Sequence, residues 1–435
     1  MCQKIILYYE LQMKKKIKFE FSILFFLVLT SFLARLVAVL LYGDTEIDYE
    51  WGILLNNLYN YKTYAFYEFE NKLIPSSYMP PLYPFTLLFL KIISFNKINI
   101  LNLIFAFQIL LSLISIYIFY KINEQFFSIK TSIINSFIFS FLPLNIYAVT
   151  QTSSITLQIF LSLLFLRYFF LTTTNTSNKN ILIFSIICGL SLLTRGEFIL
   201  ILIPTLIYKL IFKKINILNL IKILLISFII VSPYLVRNYI NFEKIHIVNV
   251  KGYALWKGNN PSLKVEGFGQ SHTEDLSPLA FENIEEFENI KFKLENIPLD
   301  NFYETKKDNI LFEVAIKNIL NDPSTYFMLY IKKIFSFYFF DINSSYKNYY
   351  HFTHIFPILL ISVLSLPGLI TFQKSNNFHK RYLMIYLILY VSIFSLFFIL
   401  PRYKLVILPI QIILSGVSIN YLLNKFTLQI RKIIS

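Results

Sequence analysis

The stretch YGDTEIDYEWGILLNNL, residues 42–58, decides how this chain is read. It follows an apolar run, Phe19 to Tyr42, and leads to YMPPLYP at residues 78–84. Within seven positions it sets out four carboxylates, Asp44, Glu46, Asp48 and Glu50. A carboxylate at the bilayer centre costs about 2.5–3.5 kcal/mol even on the lenient insertion scale. Four together therefore mark the exit of the apolar run from a membrane. Trp51 and Ile53-Leu54-Leu55 follow at once, which predicts an amphipathic helix resting on that membrane. A helix reaching back into the acidic run would pair Asp44 with Asp48 and Glu46 with Glu50 on shared faces. Carboxylates held at a membrane surface suit a reaction between lipid-borne substrates, with one of them as general base. Asp44, Asp48 and Glu50 are the candidate catalytic residues, and Trp51 beside them is a candidate substrate contact.

Composition supports the membrane reading. Hydrophobic residues make up 56% of the chain and charged residues 15%, against about 25% charged in soluble domains. The apolar runs are long and continuous, whereas barrel strands alternate over ~10 residues. The class is an all-α polytopic membrane protein. The net charge of +15 sits in short Lys and Arg clusters between apolar runs, the arrangement of topology signals rather than of nucleic-acid binding. The two cysteines, Cys2 and Cys188, give neither a disulfide framework nor a Cys-based metal site.

Lys14, Lys15, Lys16 and Lys18 hold the N-terminus in the cytoplasm, so the acidic loop (residues 43–81) emerges on the opposite side. The piece Leu82–Phe95 is shorter than the ~20 residues a span needs and is expected to lie in the interface. Spans are expected at 98–121, 131–150, 155–171, 180–193, 198–212 and 215–236, closing an N-terminal membrane module of residues 1–236. Residues 237–323 form one polar segment, with acids at Glu274, Asp275, Glu285 and Glu286, on the same side as the acidic loop. Residues 324–435 hold a second interfacial helix at 326–340 and spans at 355–372, 382–400 and 405–423. The total is about ten spans.

Cations on the outer side run against the orientation rule, so something should compensate them. Arg402 and Lys404, in PRYK at residues 401–404, and Arg237, after the seventh span, are candidate phosphate ligands, because guanidinium and ammonium groups bind phosphate. Trp256 is a candidate substrate contact in the outer segment. Arg195, in LLTRGE at residues 192–197, is expected to pair with Glu197 or to terminate its helix. Arg35 lies inside the first span, close enough to its outer end to snorkel. His351 and His354 form HxxH without an evident carboxylate partner. No GxGxxG, Walker loop or HExxH occurs. No metal site is assigned.

The order of these features resembles a known family: a first span, an outward acidic loop opening with Asp, a proline-marked stretch before an interfacial helix, then LLTRGE, SPYLVRN (232–238), GYALWKGNNP (252–261) and PRYK. It is similar to the membrane glycosyltransferases of the GT-C fold, and among them to bacterial members related to protein O-mannosyltransferases and to the aminoarabinose transferase of lipid A. The resemblance implies a GT-C-like bundle with interfacial helices and one periplasmic soluble segment. It implies a polyprenyl-phosphate sugar donor, a lipid, glycan or protein acceptor, and an active site on the periplasmic side of the bacterial inner membrane. The family's lead carboxylate maps by position to Asp44, with Asp48 and Glu50 as close rivals. The aminoarabinose transferase has a Glu-Lys pair before the proline of its second interfacial helix. Here that place reads Tyr78-Met79-Pro80-Pro81, so a divalent metal is possible but not carried over. A transporter or flippase of lipid-linked sugars, or a glycan polymerase, is the alternative. The former would carry charges deep in several spans.

Overall fold

The computed structural model describes residues 2–70, 72–95, 97–267, 285–346 and 348–434; the expected acids Glu274 and Asp275 lie outside the described residues. Every apolar segment expected to span or to lie in the interface is helical. The first helix, α1 (Cys2–Tyr42), is followed by α2 (Tyr49–Tyr61), the antiparallel hairpin β1 (Ala65–Phe69) and β2 (Lys72–Pro75), and the short α3 (Leu82–Ile93). Then come α4 (Ile100–Asn123), α5 (Ile129–Phe141), α6 (Pro143–Tyr147), α7 (Ile155–Thr174), α8 (Asn178–Thr194), α9 (Ile199–Ile211) and α10 (Ile217–Phe242). The polar segment contributes α11 (Lys251–Gly258), α12 (Glu285–Glu295) and α13 (Tyr303–Asn321). The chain closes with α14 (Pro323–Tyr338), α15 (Phe352–Gln373), α16 (Phe378–Phe394) and α17 (Leu408–Ile434).

Among the described residues five helices are long and apolar enough to cross a membrane: α1 from Ser22, α4, α7, α10 and α15. Only 17% of the apolar window of α1 and 28% of that of α10 is covered by protein, so their Leu, Ile and Phe side chains are left for lipid. At 12 residues, α3 spans about 18 Å, short of the ~30 Å hydrocarbon core, as its interfacial reading requires.

The segment expected as one span at 131–150 is two helices. Pro143 fixes the break: it starts α6, and Leu142 before it is extended (φ −61°, ψ 121°), the conformation proline imposes on its predecessor. Helix starts are set by side chains that accept from free backbone N–H groups: Ser128 from Thr131, Ser177 from Asn180, Asn216 from Asn219 and Asp322 from Thr325.

In the bundle α15 packs along α17, α8 along α10, and α7 between α4 and α8. Gly368 makes the first contact possible, because a Cβ there would meet the Leu414 carbonyl oxygen at 2.2 Å. A second apolar core lies under the acidic loop, where Trp51, Leu54, Leu55 and Leu58 of α2 meet Tyr83, Leu87 and Leu90 of α3. The outer segment has its own core of Trp256, Phe287, Ile290, Leu294 and Leu311.

Arg35 does not snorkel. It is fully buried, with Nε donating to Ser112 Oγ at 2.8 Å and Nη1 to the Ser31 carbonyl at 3.2 Å. Lys209, in α9, is a second buried cation and donates to the Phe169 carbonyl at 3.0 Å.

Candidate active site

One cleft of about 200 Å³ gathers the segments that the sequence singles out. It is lined by Asp48, Glu50 and Trp51 of the acidic loop, by Tyr78-Met79-Pro80, by Ser154 and Gln158 at the start of α7, by Arg195 and Glu197 of LLTRGE, by Tyr253 and Lys257 of α11, and by Arg402 and Tyr403 of PRYK. The acidic loop and the polar segment are thus two walls of one space. A narrow recess continues from Gln158 and Arg195 into the bundle between Leu161, Phe198, Tyr390, Phe394 and Val406.

The acidic loop is shaped by a turn beneath it. Its helix starts only at Tyr49, with Asp48 as N-cap, so the helical pairing of Asp44 with Asp48 and of Glu46 with Glu50 does not form. Asp44 is not among the residues that line the cleft. Its carboxylate accepts from Thr152 N at 2.6 Å and Thr152 Oγ1 at 3.0 Å, and its own N–H donates to the Thr150 carbonyl at 3.0 Å. Thr152 Oγ1 in turn accepts from Asp48 N at 2.8 Å. One threonine hydroxyl therefore joins the two aspartates. Asp is a favoured N-cap because its side chain accepts from the first turn, yet the Asp48 carboxylate makes no capping bond. It stays available to the cleft. Trp51 stands edge-on to Tyr83 with ring centroids 5.1 Å apart.

The cations divide into two kinds. Arg402 is exposed and has no hydrogen bond or ion pair among the described residues; its guanidinium lies 5.9 Å from the Tyr403 ring centre. Lys257, which the sequence did not single out, has no side-chain hydrogen bond or ion pair among the described residues; its ammonium lies 4.7 Å from the Phe398 ring centre and 5.8 Å from that of Tyr253. Burial lowers its pKa, the Arg402 charge lowers it further, and Glu50 works the other way. Those three groups thus act on one another within the cleft.

Arg237 and Lys404 are used inside the protein, where carbonyl oxygens rather than a phosphate take up their donors. Arg237 donates to the carbonyls of Ser76 (2.6 Å) and Tyr64 (2.8 Å) and so ties the hairpin to α10. Lys404 is buried and donates to the carbonyls of Tyr338 (2.8 Å) and Phe339 at the end of α14. Trp256 likewise lies in the outer core, fully buried and edge-on to Phe287 at 5.7 Å, so it cannot reach a substrate there. The signal that would have found Lys257 is its place beside that tryptophan: with Trp256 buried on a short helix, the next residue is turned about 100° round the axis, off the buried face.

Arg195 forms no ion pair with Glu197 among the described residues. Its Nε donates to Gln158 Oε1 at 3.3 Å and its guanidinium lies 4.5 Å from the Tyr403 ring centre. Burial opposes its charge, but Tyr403 and Glu197 nearby outweigh that and raise its pKa. His351 and His354 are taken by the start of α15, the first with Thr353 Oγ1 at 2.8 Å, the second with the Tyr349 carbonyl. Among the described residues no three His, Cys, Asp or Glu side chains come together as a metal cage.

The wall at residues 76–80 is fastened from the outer segment. Glu304, at the start of α13, accepts from Ser77 N at 2.7 Å and from the Ser76 hydroxyl, and Ser77 Oγ meets His246 Nε2 at 2.8 Å. Burial pushes the Glu304 carboxyl up to about 7, against the opposing hydrogen bonds from Ser76 and Ser77, and pushes His246 down to about 4.

Residues 79–236 match the sequence profile of the dolichyl-phosphate-mannose-protein mannosyltransferase family. Among solved structures, the fold is similar to the archaeal oligosaccharyltransferase AglB from Archaeoglobus fulgidus in complex with an inhibitory peptide and a dolichol-phosphate. The TM-score is 0.55 at 14% identity, over 95% of this chain and 51% of that one. An Archaeoglobus fulgidus oligosaccharyltransferase tethered to an acceptor peptide containing the NVT sequon gives a TM-score of 0.54 at 14% identity, over 94% and 50%. ArnT from Cupriavidus metallidurans bound to undecaprenyl phosphate is a weaker match, with a TM-score of 0.38 at 11% identity over 92% and 77%. No curated protein sequence matches. The chain spans about half the length of the archaeal structures it matches. It is a multi-span helical membrane protein of the GT-C fold, and its residues 79–236 carry the sequence pattern of the dolichyl-phosphate-mannose-protein mannosyltransferases.

Proposed function

We propose that this protein is a glycosyltransferase that moves one sugar from a polyprenyl-phosphate donor to a hydroxyl of a cell-envelope acceptor, on the non-cytoplasmic face of the bacterial inner membrane. The observation that carries the proposal is the meeting of Asp48, Lys257 and Arg402, from three separate parts of the chain, in one cleft. Asp48 is the general base. It takes the proton of the acceptor hydroxyl, whose oxygen attacks the anomeric carbon from the side opposite the phosphate. The anomeric C–O bond breaks, the electron pair leaves on the lipid phosphate, and the sugar's configuration inverts. Arg402 and Lys257 face the charge that develops on that leaving group, where fixed donors are most effective. Asp44 is a positioning residue: through Thr152 it fixes the loop that presents Asp48. Trp51, Tyr78 and Tyr253 offer aromatic faces to the sugar.

The test is transfer of a labelled sugar from polyprenyl-phosphate donors in membranes. Asp48→Asn should lose roughly 10²–10⁴-fold in kcat, the usual contribution of a positioned base, while Lys257→Ala combined with Arg402→Ala should lose at least ~10²-fold. Full activity in both would remove the site assignment.

A further inference from the structure

Glu197 is the one acid lining the cleft that comes from outside the acidic loop. It is held by the tight turn Gly196–Phe198 between α8 and α9. It is half-buried and lines the cleft, and neither of its carboxylate oxygens makes a hydrogen bond among the described residues. Arg195 is near enough for its charge to act on Glu197, but its guanidinium bonds to Gln158 Oε1 and lies over the Tyr403 ring rather than donating to the acid. A buried carboxylate oxygen left bare costs free energy. Such a cost is tolerated where a ligand supplies the missing donor.

The cleft's chemistry says which donor. Its cations for a leaving phosphate, Lys257 and Arg402, come from α11 and PRYK, whereas Glu197 stands beside Gln158 and Arg195 at the outer ends of α7 and α8. At about 200 Å³ the space is below the ~300–1,000 Å³ of sites for drug-sized ligands and suits a single sugar ring. A ring hydroxyl is the donor such a ligand offers to a carboxylate.

We propose that Glu197 is the specificity residue for the transferred sugar: its bare carboxylate oxygen accepts a hydrogen bond from one ring hydroxyl. This assignment rests on the glycosyltransferase reading above. A site built around that bond discriminates against a sugar lacking the hydroxyl, because the acid is then left unpaired.

The experiment uses the full-length protein in nanodiscs with synthetic polyprenyl-phosphate hexoses and their monodeoxy analogues. Wild type should lose roughly 10–10²-fold in kcat/KM with one deoxy position, the worth of a hydrogen bond to a charged group. Glu197→Gln and Glu197→Ala should lose that much on the intact sugar and lose nothing further on that analogue. Such non-additivity is the mark of a direct contact, which general loosening of the fold does not produce. If both variants discriminate among the analogues as wild type does, the Glu197 assignment fails and the transferase reading stands. If wild type neither transfers any of the hexoses nor shows Trp51 fluorescence quenching by the donors, both fall.

Discussion

At the scale of single residues, the same side-chain type has opposite fates a few positions apart. Asp44 and Asp48 are equally good candidates by position, yet the first is consumed by Thr152 and the second is not. This defines a prediction. Thr152→Val keeps the shape but removes the hydroxyl shared by the Asp44 carboxylate and the Asp48 N–H. Thr152→Val and Asp44→Asn should each lower kcat by roughly 10²-fold, the size of effect expected from misplacing a reacting group by about 1 Å. The double variant should be little worse than either, because both cut one network. Additive losses in a transfer assay would instead give Asp44 an independent role. Arg237 and Lys404 show why such distinctions are not legible in sequence. A cation at a membrane surface reads the same whether its partner is a phosphate or, as here, a carbonyl brought from 161 or 65 residues away.

Whole elements were far more legible than their partners. Long apolar runs force helices because each segment must satisfy its own backbone groups in the hydrocarbon core, and each expected span contains a helix, although 131–150 holds two and the helix in 382–400 stops at Phe394. The α5–α6 break was written in Pro143. The hairpin at 65–75 was not foreseen, since AFYEF and KLIP are short and their place depends on Arg237 and Glu304. That fastening gives a prediction in pH. The Glu304 carboxyl is higher in the folded protein, at about 7, than the ~4.3 of an unfolded chain. It therefore favours folding most at low pH, and the benefit fades as pH rises through 7. His246 is lower when folded, at about 4, than the ~6.5 of an unfolded chain, so its effect runs the other way and is lost as pH falls from 6.5 to 4. Between pH 4.5 and 6.5 the two nearly cancel. On acidification over that interval the melting temperature of Glu304→Gln should fall and that of His246→Asn should rise, each on the order of 5 °C, with wild type between them. Thermal unfolding in detergent measures this, and two variants that track wild type would mean the groups do not titrate as described.

At the scale of the whole molecule, the cleft is closed by pieces from both ends of the chain, which requires the acidic loop and the outer segment to share one side of the membrane. In a Cys2→Ser, Cys188→Ser background, cysteines placed at the exposed positions Glu46 and Lys264 should react with an impermeant maleimide added to intact cells. A cysteine at the exposed Lys213 should react only after permeabilisation. Labelling of 46 and 264 from opposite sides would be incompatible with the cleft. The order of the helices was readable from the apolar runs, but the convergence on one cleft was not, because it depends on contacts between residues hundreds of positions apart. One such contact has a mechanical consequence. At the end of α11, Gly258 lies so near the backbone of Phe397 and Phe398 that a Cβ would come within 2.5 Å. Asn259 donates across to the Leu396 carbonyl at 2.8 Å, and Lys333 clamps Gly258 from behind at 2.6 Å. The ammonium on the preceding residue and the guanidinium four positions past Phe398 thus ride on a single stiff frame. In the proposed reaction their spacing would be set before any lipid arrives, so a departing phosphate would meet a ready-made pair and little free energy would be spent on gathering the two charges at the moment of bond breaking.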